Sequence, residues 1–259
     1  MAVREAKQQF PRDNQTLRYL DLGTGNGSVL QMVLRALLQD NFNVIATGIE
    51  ARQEAVGLAR RSLLFNVGPD FPVQIIHGDF RDVLVKSDSN IGKFDLVTGT
   101  PPYFRVDFNV VQGGAKVKSA VIRQGGMPTA RQSAPARCEF RGGIEVYCET
   151  ASRVLKTETG RFIVCENFEN HERVLQSAED ASLQILHVLQ VQGRQGRKSL
   201  FCVYVLKKRN SVNIAASSVE ATEEVLAVRD DDGNWTKAYA ENVLTCMSIP
   251  QFAPSASRT

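Results

Sequence analysis

Apolar residues recur along this chain in two alternating rhythms. Residues 19–22, Tyr-Leu-Asp-Leu, form a short apolar run that ends in glycines, and 27–40 carries apolar side chains at 29, 30, 33, 34, 37 and 38. The first run predicts a strand. The second predicts a helix, because a 3.6-residue period brings those positions to one face. The same reasoning predicts a strand over 43–49 and a helix over 52–65, then strands over 73–76 and 93–98. After an irregular stretch the rhythm returns. A helix is predicted over 144–155, a strand over 161–165, a helix over 169–181, and strands over 183–191 and 199–207. Strand and helix in alternation argue for an α/β fold with a parallel sheet covered on both faces. The strands are short continuous apolar runs, as burial on both faces demands.

The last two strands are joined by Gly-Arg-Gln-Gly-Arg-Lys at 193–198, short enough for a hairpin, so they are antiparallel. The margins read differently. Residues 1–17 form a polar, fraying lead-in. Residues 209–220 are a Ser/Asn/Ala-rich linker. Beyond it, 225–228, an Asp-Asp-Asp-Gly turn and a short helix over 236–244 make a small appendage with a disordered end. The domain organisation is therefore a lead-in (1–17), a main domain (18–208) and a linker with appendage (209–259).

Composition narrows the class. Of 259 residues, 43% are hydrophobic and 23% charged, enough apolar material for a sizeable core. The longest apolar run, Leu200 to Leu206, falls far short of the roughly 20 residues that cross a bilayer. The charged start carries no apolar core of a secretory signal. Cys138, Cys148, Cys165, Cys202 and Cys246 are odd in number and none pairs at C-x-x-C spacing. They read as reduced thiols, which places the chain in the cytoplasm or another reducing compartment. With only His77, His171 and His187, no metal site is expected.

A net charge of +3 permits a nucleic-acid partner without implying one. Its distribution says more. Residues 104–142 show no sustained period and hold seven basic residues against two acidic ones. A long irregular segment inside a compact domain is commonly functional, and this one reads equally as a solvated loop or as a surface for an RNA backbone.

The candidate chemistry begins at Asp21-Leu-Gly23-Thr-Gly25-Asn26-Gly27, which follows a strand and opens a helix. Glycines at alternate positions let the backbone turn sharply and approach a ligand closely. Glu50 ends the next strand, where a carboxylate can accept two hydrogen bonds from ribose hydroxyls. Asp79 follows the third strand, within reach of an adenine amino group. Nicotinamide and flavin sites use G-x-G-x-x-G to aim a pyrophosphate at a helix N-terminus. Here the pattern is G-x-G-x-G with an acid two residues before it. Such an acid would repel a pyrophosphate and suits S-adenosylmethionine, which carries an ammonium, a ribose and an adenine but no phosphate.

With Glu50 and Asp79 at the ends of the second and third strands, the chain resembles the class I S-adenosylmethionine-dependent methyltransferases over about residues 18–208. That resemblance implies a Rossmann-like, mostly parallel seven-stranded sheet whose last strand is antiparallel. It also implies a cofactor site made of Asp21, Gly23, Gly25, Asn26, Gly27, Glu50, Ala51, Asp79 and Phe80.

A second motif, Thr100-Pro101-Pro102-Tyr103, follows the fourth strand, where ligands sit in such sheets. Two prolines fix the backbone and leave carbonyls directed outward, and Tyr103 offers a flat face. The motif resembles the Asn/Asp/Ser-Pro-Pro-Tyr/Phe motif of methyltransferases that modify amino nitrogens. By that resemblance Thr100 and the Pro101 carbonyl accept from the target amine and Tyr103 stacks on it, which is positioning chemistry. Thr100 departs from the pattern, because its hydroxyl is shorter than a carboxamide.

Ala136-Arg137-Cys138-Glu139 and the tail around 228–239 are similar to segments of bacterial tRNA adenine-N6 methyltransferases that act on valine tRNA. RNA, tRNA foremost, is then the expected substrate. That group carries a T-D-x-x-L-L-like segment upstream of its first strand. None is found in 1–17, so either a truncated start or a partly open pocket is expected. A protein glutamine, a small-molecule amine, or a non-catalytic subunit with the same fold are the alternatives.

Overall fold

A computed structural model describes residues 1–10, 15–69, 72–85, 93–104, 138–209 and 221–244. Most of the basic segment 104–142, including Ala136 and Arg137, lies outside the described residues, as do the linker from 210 to 220 and the chain beyond 244.

Among the described residues, eight strands form one sheet: β1 (Thr16–Leu22), β2 (Asn43–Glu50), β3 (Val73–His77), β4 (Leu96–Gly99), β5 (Arg161–Asn167), β6 (Leu183–Arg194), β7 (Ser199–Lys208) and β8 (Thr222–Arg229). Their order is β3-β2-β1-β4-β5-β7-β6-β8. β7 is antiparallel to both its neighbours, and every other pairing is parallel. The carboxyl ends of all strands but β7 therefore lie along one edge.

The predicted hairpin of β6 and β7 is present. The predicted seven-stranded count is corrected to eight, because part of the tail joins the sheet. β8 pairs in parallel with β6 from His187↔Thr222 to Arg194↔Arg229. Leu226 is its buried side chain, while Val225 stands exposed on the other side. The reversed strand is thus neither last in the chain nor at the sheet's edge.

Helices cover both faces. α2 (Ser28–Gln39) and α3 (Gln53–Asn66) pack on one side with α1 (Ala2–Gln9). α4 (Phe80–Val85), α5 (Ile144–Val154) and α6 (His171–Asp180) are the remaining helices of the sheet-covering set. The period-2 alternation of β1 splits the core: Leu17 and Tyr19 face α1 and α2, while Leu20 and Leu22 face α5. Leu34 and Leu37 of α2 and Leu155 beyond α5 are fully buried. Each such side chain contributes about 1.5–3 kcal/mol.

The lead-in holds a helix that apolar periodicity does not reveal. α1 buries only Ala2, Glu5 and Ala6, small or charged residues rather than a leucine stripe. Lys7 pairs with Asp40 at the end of α2 (2.7 Å), and the Gln9 side-chain oxygen accepts from Arg161 Nη2 (2.6 Å).

Candidate active site

The loop after β1 is shaped by three positive backbone angles, at Gly23 (φ 63°), Gly25 (58°) and Gly27 (83°). Each glycine answers to a different neighbour. A Cβ on Gly23 would stand 2.5 Å from the Tyr147 hydroxyl oxygen, and one on Gly27 would stand 3.3 Å from the Ala59 Cβ of α3. A Cβ on Gly25 would meet nothing nearer than the Gly23 carbonyl at 4.0 Å. Gly27 therefore serves helix packing, and the space over Gly25 is open to a ligand. The loop is tied down by the Thr24 N–H donating to the Ile49 carbonyl (2.9 Å) and the Gly27 N–H donating to the Thr24 carbonyl (2.8 Å). The Asn26 side-chain oxygen accepts from the Ser28 N–H (3.2 Å) and hydroxyl (2.7 Å), which satisfies the start of α2.

Asp21 lies beneath this loop and is nearly sealed from solvent, at 3% exposure. Its Oδ2 accepts from the Thr24 hydroxyl and its Oδ1 from the Thr98 hydroxyl, both at 2.6 Å. The Tyr19 hydroxyl lies 2.8 Å from the Thr98 oxygen. Burial pushes Asp21 up to about 6; the two hydroxyls pull it down, and Glu50 adds a small upward push.

Glu50 ends β2 and is also buried. Its Oε2 accepts from the Gly25 N–H (2.9 Å), and its Oε1 from the Arg52 N–H (2.8 Å) and Nε (3.0 Å). The carboxylate thus fixes the glycine loop from the neighbouring strand, and half-buried Ala51 sits between it and Arg52. The Gly78 N–H donates to the Glu50 carbonyl (2.9 Å), which ties the end of β3 to the same point. Asp79 follows. Arg81 reaches it with Nε (2.8 Å) and Nη2 (2.5 Å) and holds its carboxyl below the ordinary carboxylate range. Phe80 is buried and meets the Tyr147 ring edge to face, centroids 4.8 Å apart.

β4 lies beside β1, with Leu22 opposite Gly99. Thr100 and Gly23 therefore leave the sheet as neighbours. Thr100 is exposed, Pro101 is buried, and Pro102 and Tyr103 are half-buried. The Tyr103 hydroxyl lies 3.6 Å from Cys165 Sγ on β5, and burial raises its pKa. The structure thus brings the candidate residues to the ends of four adjacent strands, β3, β2, β1 and β4. The edge carries Asp79, Glu50 and Asp21, the first two paired with Arg81 and Arg52 and the third held by the Thr24 and Thr98 hydroxyls. Among the described residues no cluster of His, Cys, Asp or Glu is placed to hold a metal ion.

Two residues at this edge escape sequence reading. Tyr147 of α5 fills the angle between Gly23, Gly99 and Phe80; a Cβ on Gly99 would stand 2.7 Å from its Cδ1. Its position in the apolar face of 144–155 reads simply as core. Glu166 near the end of β5 is fully buried. Its Oε1 accepts from the Asn167 N–H (2.7 Å) and Asn170 Nδ2 (3.1 Å), while its Oε2 has no hydrogen-bond partner among the described residues. Burial pushes it up to about 7. Glu139, the last residue of the A-R-x-E segment, is clamped by Arg173 (2.6 and 2.9 Å), which also holds Glu145 of α5.

No protein-family model matches the chain. Two curated tRNA1(Val) (adenine(37)-N6)-methyltransferases, from Actinobacillus pleuropneumoniae serotype 7 (strain AP76) and serotype 5b (strain L20), are each 23% identical over 224 residues, covering 86% of this chain and 78% of theirs. A solved "predicted O-methyltransferase" from Agrobacterium tumefaciens matches with a TM-score of 0.59 at 15% identity, covering 95% of this chain and 97% of that one. A structure described as a class I S-adenosylmethionine-dependent methyltransferase from Listeria monocytogenes matches at 0.55 and 13% identity, covering 95% and 67%. The chain has the Rossmann-like methyltransferase fold, as the sequence resemblance implies.

Proposed function

We propose that this chain is an S-adenosylmethionine-dependent methyltransferase acting on an exocyclic amino nitrogen, N6 of adenine in RNA and in tRNA foremost. The observation that carries the reading is the adjacency of two motifs. The acid-lined glycine loop after β1 and Thr100-Pro101-Pro102-Tyr103 after β4 leave neighbouring strands side by side, with Leu22 opposite Gly99. A methyl donor over the first motif faces a target held by the second. The fold and the distant tRNA methyltransferase relatives support the same assignment.

The residues fit the donor. The open space over Gly25 admits it, and the row of acids suits its ammonium and hydroxyls where a pyrophosphate would be repelled. Bound there, S-adenosylmethionine supplies a methyl group on a sulfonium. Asp21 orients the methionine end. Glu50 holds the ribose hydroxyls with the acceptor capacity left beyond Gly25 and Arg52. Asp79 reads the adenine amino group once Arg81, whose side chain is 41% exposed, yields an oxygen. Gly23, Gly25 and Gly27 shape the loop, with Asn26 at the helix start and Ala51 and Phe80 along the wall.

On the target side, the Thr100 hydroxyl and the Pro101 carbonyl accept from the amine, so that its lone pair points at the methyl group. Pro102 fixes the turn and Tyr103 stacks on the base. No strong base is needed, since orientation supplies much of the rate. The target base has to be splayed out of its loop to enter.

The test is calorimetric titration of the full chain with S-adenosylmethionine and S-adenosylhomocysteine beside a Glu50→Ala variant. Transfer of a labelled methyl group to tRNA follows, with the product nucleoside identified by mass spectrometry. Micromolar binding lost in the variant, and label on adenine N6, are the expected results. Label on peptide amides or small amines would move the substrate class. Absence of cofactor binding by the intact chain would overturn the reading in favour of a non-catalytic subunit.

A further inference from the structure

We infer that Thr98, backed by Tyr19, is a positioning residue for the cofactor's methionine end, acting through the carboxylate of Asp21. The inference rests on the proposed cofactor site and adds two residues that neither motif contains. Thr98 lies within β4, two positions before Thr100, and only 3% of it is exposed. Its hydroxyl donates to Asp21 Oδ1 at 2.6 Å. An ionised carboxylate only accepts, so the Thr98 hydrogen is committed to Asp21. The Tyr19–Thr98 contact of 2.8 Å then has Tyr19 as donor. Burial raises the Tyr19 pKa well above its ordinary value, so the phenol keeps the proton it donates. The result is a directed relay, Tyr19 to Thr98 to Asp21, running from the core beneath β1 to the floor of the glycine loop.

The relay has two consequences. It fixes the carboxylate plane, because Thr24 holds the other oxygen at 2.6 Å and the side chain cannot turn without breaking both bonds. It also favours the charged form in a place where burial disfavours it. The other titratable groups around Asp21 do not help. Glu50 on β2 pushes it toward the neutral form, and Tyr147 on α5 feels the Asp21 charge as unfavourable to its own ionisation. The hydroxyls of Thr98 and Thr24 are the groups that lower the Asp21 pKa. An ammonium is recognised by a charged acid far better than by a neutral one. Removing the Thr98 hydroxyl should therefore weaken cofactor binding most where Asp21 is closest to protonation.

Thr98→Val tests this, with Thr98→Ser as the conservative control and Tyr19→Phe as the weaker lesion. Two readouts are used. The Asp21 carboxyl carbon is titrated by NMR in the free protein. S-adenosylhomocysteine affinity, which keeps the ammonium without the methyl, is measured calorimetrically from pH 5.5 to 8.5. The Asp21 midpoint should rise by about one pH unit in Thr98→Val, by less in Tyr19→Phe, and return in Thr98→Ser. The affinity loss in Thr98→Val should be about threefold near pH 6.5, approach about tenfold toward pH 5.5 and vanish toward pH 8.5. A loss independent of pH, or an unchanged Asp21 midpoint, overturns the inference. Failure of the unmodified chain to bind at any pH would sink the cofactor reading, and the NMR midpoints would still decide whether the relay tunes Asp21.

Discussion

Asp21 and Glu166 are both carboxylates sealed at the carboxyl edge of one sheet, yet they are built in opposite ways. Asp21 has a hydroxyl donor on each oxygen. Among the described residues, Glu166 has two donors on one oxygen and none on the other. Burial pushes both upward, to about 6 and about 7 respectively. Near neutral pH the first is mostly charged and the second about half protonated. Both accept two hydrogen bonds, and burial is the leading cause of both shifts, so the contrast lies in which oxygens are served rather than in how many donors there are. Donors spread over both oxygens stabilise the anion, whereas an orphaned oxygen is best occupied by a proton. The half of the edge at β1 is built to present a charge, and the half at β5 tolerates a neutral acid.

The largest effect expected from this contrast is on stability. Both folded-state values lie above the ordinary carboxylate range. Each acid therefore favours the folded chain most at low pH, and that advantage is lost as pH rises through about 6 for Asp21 and about 7 for Glu166. For Glu166 the loss amounts to about 3 kcal/mol between acid and slightly alkaline solution. Glu166→Gln should remove it, and above pH 6 its removal should flatten most of the slope, because Asp21 is past its midpoint there. Urea melts at pH 5, 6.5 and 8 measure this. A variant whose stability follows the unmodified chain in parallel across that range would show that Glu166 is charged throughout, and the comparison would collapse.

The next effect separates the two acids by function. Asp21→Asn removes the charge beneath the glycine loop and should weaken S-adenosylmethionine binding about a hundredfold at pH 8. Glu166→Gln should leave the same affinity within about twofold, since its carboxyl sits two strands away at the end of β5. Calorimetry on the two variants side by side decides. Equal losses would mean that the charge of the whole edge, rather than Asp21 itself, governs binding.

The contrast also marks what a sequence discloses. Asp21 and the glycines are legible because seven consecutive residues carry the pattern, and Glu50 and Asp79 are legible because they end apolar runs. The rhythm of strands and helices from β1 to β7 is readable for the same reason: it is local. Glu166 is hidden, because it follows an apolar run as any solvated strand end would, and the Asn170 side chain that holds it, just before α6, gives no local signal. Thr98 and Tyr147 touch the site across 77 and more than a hundred positions of chain, which no local period can signal. α1 escapes because alanines do its packing. β8 escapes because its partner is β6, reached in parallel from beyond the linker.

The smallest effect concerns the residue between the two halves of the edge. Tyr103 stands at the end of the β4 motif, and its hydroxyl touches Cys165, the neighbour of Glu166, at 3.6 Å. Sulfur is a weak hydrogen-bond partner, so this contact contributes little. If Tyr103 works by stacking on the target base, its ring matters and its hydroxyl does not. Tyr103→Phe should then change methyl transfer to tRNA by less than about twofold, whereas Tyr103→Ala should lower it about tenfold or more, the scale of one lost base–aromatic stack. Both variants should bind S-adenosylmethionine as the unmodified chain does, because the lesion lies on the target side. A large loss in Tyr103→Phe would instead assign the hydroxyl a role, and would tie the β4 motif to the acid of β5 through Cys165 rather than to the target base.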